Sequence, residues 1–160
     1  MSTINEYNKI TQREELITKF EEIDNSIYTV EVAISAADIV AMYTTPVEVV
    51  AAPGAGYALD FVSAVLIYDY DTAAYTGGGD ITLEYSGGAT TSTTVAAANG
   101  FGAAGDKVFS MAHLNAAGGY TMPVNTAIDI TNATGVFVAP TGAAGVARIK
   151  VNYRTIKTDL

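Results

Sequence analysis

The chain has 160 residues, no cysteine and a formal charge of −9, and 49% of it is apolar. That length fits one domain with a real core, that apolar share excludes wholesale disorder, and the missing thiols exclude disulfides and thiolate metal sites. Residues 25–147 hold ten acids and one base, Lys107, and an acidic body of this kind argues against phosphate-backbone binding.

The other charges sit at the ends. Residues 1–24 hold six acids and three bases, and residues 148–160 hold one acid and four bases. No cationic stretch leads into an apolar one as in a secretory signal, and the longest apolar run, Ser63 to Tyr68, is far shorter than a membrane helix needs. The expectation is a soluble protein made inside the cell, with no membrane and no nucleic-acid partner.

Residues 1–24 contain no glycine and read as helix. Thr3 to Glu6 and Thr11 to Glu14 both fit the capping box, in which hydroxyl and carboxylate satisfy free amides reciprocally. Beyond Thr11 the apolar residues Leu16, Phe20 and Ile23 form a stripe, with Ile17 beside it. A helix this short is marginal alone in water, so its stripe must pack on something. Either its own body or a partner fits that need.

The body begins near Ile27, which divides the chain into a helical segment, 1–26, and a β body, 27–160. Tyr28, Val30, Val32 and Ile34 alternate with polar or small residues, as in a strand with one buried face. Ser35 to Asp38 caps a helical turn through Ile39 and Met42, which Pro46 stops. Val47 to Val50 is the next strand. Tyr57 to Tyr70 is the longest one, and its broken alternation at 63–68 predicts a bulge or burial on both faces.

Thr76 to Asp80 contains three glycines and needs unusual backbone angles. Ile81, Leu83 and Tyr85 alternate again, Gly87-Gly88 turns the chain, and Thr90 to Ala98 reads as a polar strand near an edge. Val108, Ser110, Ala112 and Leu114 share one face of a further strand. Val124 to Ile130 and Gly135 to Ala139 are short strands. In the last strand, Val146 to Ile156, Ile149, Val151 and Tyr153 face one way. Arg148, Lys150, Asn152 and Arg154 face the other, beside acids such as Glu84 or Glu31. The sum is an antiparallel β-sandwich or jelly roll of about eight strands with a short N-terminal α-helix.

Several constellations have a chemical reading. Gly100 to Gly105 matches the dinucleotide-loop glycine pattern, yet the residues after it alternate like a strand instead of opening a helix. Asp69, Asp71 and Asp80 flank one loop and offer hard oxygen ligands for a cation such as calcium. His113 is the single histidine and lies near Ser110, but no serine sits in a nucleophile elbow. Tyr57, Tyr68, Tyr70, Tyr75 and Tyr120 lie near turns and offer faces for stacking sugars, or interface and core tyrosines. Asn132 to Thr134 forms a glycosylation sequon without a secretory signal. None of these singles out a catalytic residue, cofactor site or metal site.

Taken together, Ile34-Ser35, Asp38-Ile39, Thr44 through Gly56, Ala73 through Leu83, Asn132 through Gly135 and Arg148 through Arg154 resemble small virion-associated proteins of tailed bacteriophages. Members of that group are assigned as head decoration, cement or head-fibre components. The resemblance covers residues 34–156 and rests on turn and strand motifs. It implies a jelly roll or similar sandwich, commonly trimeric, on the outside of a capsid, with the major capsid protein or another virion protein as partner. The chain is then a non-enzymatic structural protein made in the host cytoplasm. Leu16, Ile17, Phe20 and Ile23 are the candidate docking anchors, in a segment that the resemblance does not cover.

Overall fold

The computed structural model describes residues 26–114 and 121–158. The segment 1–25, with the N-terminal helix expectation and its four candidate anchors, lies outside the described residues. Ten strands are present: β1 (Tyr28–Ile34), β2 (Val47–Val50), β3 (Tyr57–Asp69), β4 (Thr76–Gly77), β5 (Ile81–Tyr85), β6 (Ala89–Thr90), β7 (Lys107–Ala112), β8 (Ile128–Asn132), β9 (Phe137–Val138) and β10 (Val146–Lys157). One described helix, α1 (Ala36–Ala41), joins β1 to β2.

The strands form two four-stranded antiparallel sheets, β1-β10-β3-β7 (sheet A) and β2-β8-β5-β6 (sheet B), plus the ribbon β4-β9. Set the two ribbon strands aside and eight remain. The first then pairs with the last, the second with the seventh, the third with the sixth and the fourth with the fifth. That nesting is a long hairpin rolled on itself, the order of a jelly roll. The expected fold class is the observed one.

Local sequence explains the elements. Ser35 accepts from the Asp38 amide at 3.2 Å, and Asp38 accepts from the Ser35 amide at 2.9 Å, closing the capping box that starts α1. The same bonds hold the Asp38 carboxyl below its ordinary value, with the Ser35 hydroxyl as the largest contributor. The long strand carries a bulge, but just before the 63–68 stretch where it was expected, and residues 63–68 alternate regularly between half-buried and buried. The register between β10 and β3 slips between Asn152 and Tyr153, so Val62 is the extra residue on β3. The slip restores Leu59 and Phe61 to the core face, in line with Ala64, Leu66 and Tyr68.

The core lies between the sheets. Sheet A contributes Leu59, Phe61, Leu66, Ile149 and Val151, and sheet B contributes Ile81, Leu83, Ile128 and Ile130, all buried. Each such side chain gains about 1.5–3 kcal/mol over exposure. The Tyr85 hydroxyl reaches across and donates to the Leu59 carbonyl at 2.6 Å, tying sheet B to sheet A. Tyr68, Tyr75, Phe101 and Phe137 close one end of the core, with ring centroids 5.4–6.5 Å apart. The Tyr75 hydroxyl donates to the Gly145 carbonyl at 2.7 Å, and burial pushes its pKa up to about 12.

Two expectations about strand extent are corrected. Thr90 to Ala98 is not one strand: β6 is two residues long, and residues 91–95 bond alternately to both sheets. Thr91 donates its amide to Leu83 and Val95 bonds reciprocally with Ile81, while Thr93 donates to Ala112 of sheet A. The segment therefore closes that side of the sandwich and cannot follow one ladder. The Val124 to Ile130 strand is shifted to β8, because Asn125 adopts positive φ (51°) and its side chain accepts from the Gly54 amide at 2.9 Å. Val124 keeps a single bridge, to Ala58.

Candidate interaction surface

Most residues with a chemical reading in the sequence are used to build the sandwich. The Gly100 to Gly105 stretch follows a turn and leads into β7, not a helix. Phe101 is fully buried within the aromatic cluster, and a Cβ on Gly100 would come within 2.7 Å of Ile81 Cδ1. Gly100 and Gly102 serve close packing, whereas a Cβ on Gly105 would meet open space. In the ribbon turn, Gly78 has φ +70° and a Cβ there would enter the Phe137 ring at 2.3 Å, which accounts for the glycine run at 77–79.

The remaining candidates separate in space. Ser110 and His113 differ by an odd step: Ser110 lies on the outer face of sheet A, whereas the His113 ring stacks on core Phe61 at 6.2 Å. Tyr68 and Tyr75 are buried, so they form no sugar platform; Tyr57 is exposed, Tyr70 donates to the Thr72 carbonyl, and Tyr120 lies outside the described residues. Asn132 is buried and its side-chain amide donates to the Gly135 carbonyl at 2.7 Å, so the sequon is a turn lock. Asp80 accepts from the Ala97 amide at 3.1 Å. Asp69, Asp71 and Asp80 do not converge, and among the described residues no group of three acids or histidines has metal-site geometry.

What the sandwich presents outward is two sheet faces, each read as straight rows across four strands. On sheet A one row is Ala33, Arg148, Ile67, Val108 and the next is Glu31, Lys150, Val65, Ser110. The Lys150 ammonium lies 3.1 Å from the Glu31 carboxylate, and the Arg154 guanidinium lies 2.7 Å from the carboxylate of buried Asp60. Glu84, the other expected neighbour of this basic strand, is in sheet B instead. The first row floors an open groove of about 470 Å³ whose lining includes Val146, Lys107, Asp69 and Asp106. Val108 is 68% exposed there.

On sheet B one row is Glu48, Asp129, Glu84 and Thr90. Three carboxylates thus stand side by side, an arrangement that is unfavourable between neighbouring strands. Partial burial, then the adjoining Asp129, raises the Glu84 pKa above its ordinary value. Asp129 accepts from the Ser86 hydroxyl at 2.6 Å. These rows escaped the sequence reading. Alternation gives the outward residues of each strand, but only the strand order shows which of them are neighbours.

No protein-family model matches the chain, and no curated protein matches it. Among solved structures it is similar to a chain of the "Cyanophage Pam1 capsid asymmetric unit", with 20% identity and a TM-score of 0.44, over 81% of this chain and 83% of that chain.

Proposed function

We propose that the chain is a structural virion protein of a tailed bacteriophage, a capsid decoration or cement protein that binds the outside of the head and stabilises it. It acts by binding, with no catalysis and no cofactor. The observation that carries this reading is how the jelly roll uses its residues. Gly100, Tyr68, Tyr75 and Asn132, which invite a chemical reading, are packed into turns and core, and flat sheet faces are left outward. The motifs that resemble phage virion proteins occupy that framework: the Ser35–Asp38 cap, the Gly77-Gly78 turn, the Asn132–Gly135 turn and β10.

In this reading the stripe Leu16, Ile17, Phe20 and Ile23 docks on the major capsid protein or another virion protein. Association into trimers multiplies a weak contact through effective concentration. The test is mass spectrometry and cryo-microscopy of virions purified from the phage that encodes the chain. Density on the outer head surface is expected; absence of the chain from the particle overturns the reading, and density on the tail or fibre base moves it there. Leu16→Asp with Phe20→Asp is expected to abolish capsid binding and leave the melting curve of the body unchanged.

A further inference from the structure

The two long sides of the sandwich are finished differently. On the side of β6 and β7, residues 91–95 bond alternately to sheet A and sheet B and close the gap. On the other side stand β1 and β2, the remaining edge strands of the two sheets. They lie close together, yet among the described residues no ladder or bridge joins them.

The core therefore shows at this side. Tyr28, Val30 and Val32 take the core-facing positions of β1, in register with Tyr153, Val151 and Ile149 of β10. Val151 and Ile149 are fully buried, whereas Val30 and Val32 are only half-buried and Tyr28 is 41% exposed. Val47, at the start of β2, is half-buried as well. These four side chains line an apolar seam. The acids of the two strands, Glu31 and Glu48, take the alternate positions on the outer faces, and Glu31 is paired with Lys150. A chain of net charge −9 repels its own copies over most of its surface. The four residues of the seam carry no charge, so like seams meet without that cost and bury apolar area.

We propose that this seam is the contact between copies of the chain, with three copies packing Tyr28, Val30, Val32 and Val47 about a threefold axis. Seams gathered about a rotation axis close on themselves, so assembly stops at three. The place where the N-terminal segment enters fits the same axis. Residues 1–25 join the described chain at Ser26, two residues before Tyr28 and so at one end of the seam. Three such segments leave side by side from one end of the axis. Their docking stripes then share the effective concentration that makes a weak attachment strong. The contact rests on the trimer of the proposed function and not on where that trimer sits.

Light scattering on the full chain after gel filtration is expected to give three times the 16.6 kDa monomer mass. Added salt is expected to leave the trimer intact, because it screens the repulsion between acidic bodies and not the apolar contact. Val30→Lys is expected to lose association at least tenfold. In a single copy the lysine stem lies along the seam with its ammonium in water, but at the axis three ammonium groups meet. Melting curves verify folding, and a second readout leaves Val30 in place. The chain has no cysteine, so exposed Ile27→Cys, beside the seam, and exposed Val108→Cys, on the far edge of sheet A, each carry a single thiol. A short bis-maleimide is expected to link copies of Ile27→Cys and to leave copies of Val108→Cys unlinked. A wild type that is monomeric or dimeric, a folded Val30→Lys that stays trimeric, or an Ile27→Cys that links no better than Val108→Cys each overturns the contact. Should Val30→Lys not fold, the cross-link decides. Virions that lack the chain overturn the capsid reading and leave this result standing.

Discussion

Gly78 sits where a side chain would have to share space with the Phe137 ring. Its φ is +70°, and a Cβ there would lie 2.3 Å from the ring carbons. Gly87, in the β5–β6 turn, has φ +101° with nothing within 4 Å of a Cβ. The pair separates backbone strain from overlap. Gly87→Ala is expected to cost about 1 kcal/mol, from strain alone. Gly78→Ala is expected to cost about 2–4 kcal/mol, because strain and core displacement add. Urea titrations check both, and equal losses would show that the Phe137 ring yields freely. Glu84 makes a second case at this scale. Its folded pKa lies above the ordinary 4.5, so the native state holds its proton more tightly than the unfolded chain. The associated stability is present below that ordinary value and is lost as pH rises through the raised one. Glu84→Gln removes that loss. The variant is expected to exceed the parent at pH 7 by less than about 1 kcal/mol, with the gain vanishing on acidification. Asp38 runs the other way: its lowered pKa contributes stability above its ordinary 3.8 that is lost as pH falls through the folded value.

Among the elements, β10 is the strand whose charged face divides most clearly into two kinds of ion pair. Lys150 and Glu31 are each about half exposed, whereas the side chain of Asp60 beneath Arg154 retains only 6% exposure. Lys150→Ala is expected to cost under about 1 kcal/mol, because solvent screens that pair. Arg154→Ala takes a charged hydrogen-bond donor from a largely buried carboxylate and is expected to cost more, about 1.5–3 kcal/mol. Thermal melts read both, and comparable losses would mean that water reaches Asp60 freely. The strand itself was legible, as were β1, β2, β3 and β5, because period-two alternation and capping are local. Ser35 with Asp38 announced α1, whereas the bulge falls at Val62, before the 63–68 stretch that had looked irregular because its outward positions are also apolar. Residues 91–95 were not legible, since their amides divide between two sheets and leave no single period. Nor was the choice of Glu31 over Glu84 beside Lys150. Both acids suit a lysine by charge, and only pairing over more than a hundred residues decides between them. The acid row of sheet B and the Arg148 row of sheet A were hidden for the same reason.

For the molecule as a whole, the nested order makes the chain's last strand one of its innermost. β10 lies between β1 and β3, pairing along its length with β3 and over seven residues with β1. Ile149 and Val151 are fully buried. Without β10, β1 has no ladder partner, and the core facing it, including Leu66, opens to water. Among the described residues every strand begins at or after Tyr28. Two truncations of similar size should therefore behave differently. A chain lacking residues 1–24 is expected to melt in one cooperative transition near the parent's temperature. A chain ending at Gly145 is expected to show no cooperative transition, because losing a central strand removes the joint between the first and third strands of the roll. Because β1 pairs, among the described residues, with the distant strand β10, refolding of the intact body is expected on the millisecond-to-second scale typical of non-local β pairing. Circular dichroism during heating checks the truncations. A cooperative melt of the chain ending at Gly145 would mean that sheet B and the β3–β7 pair hold a core without the strand between β1 and β3.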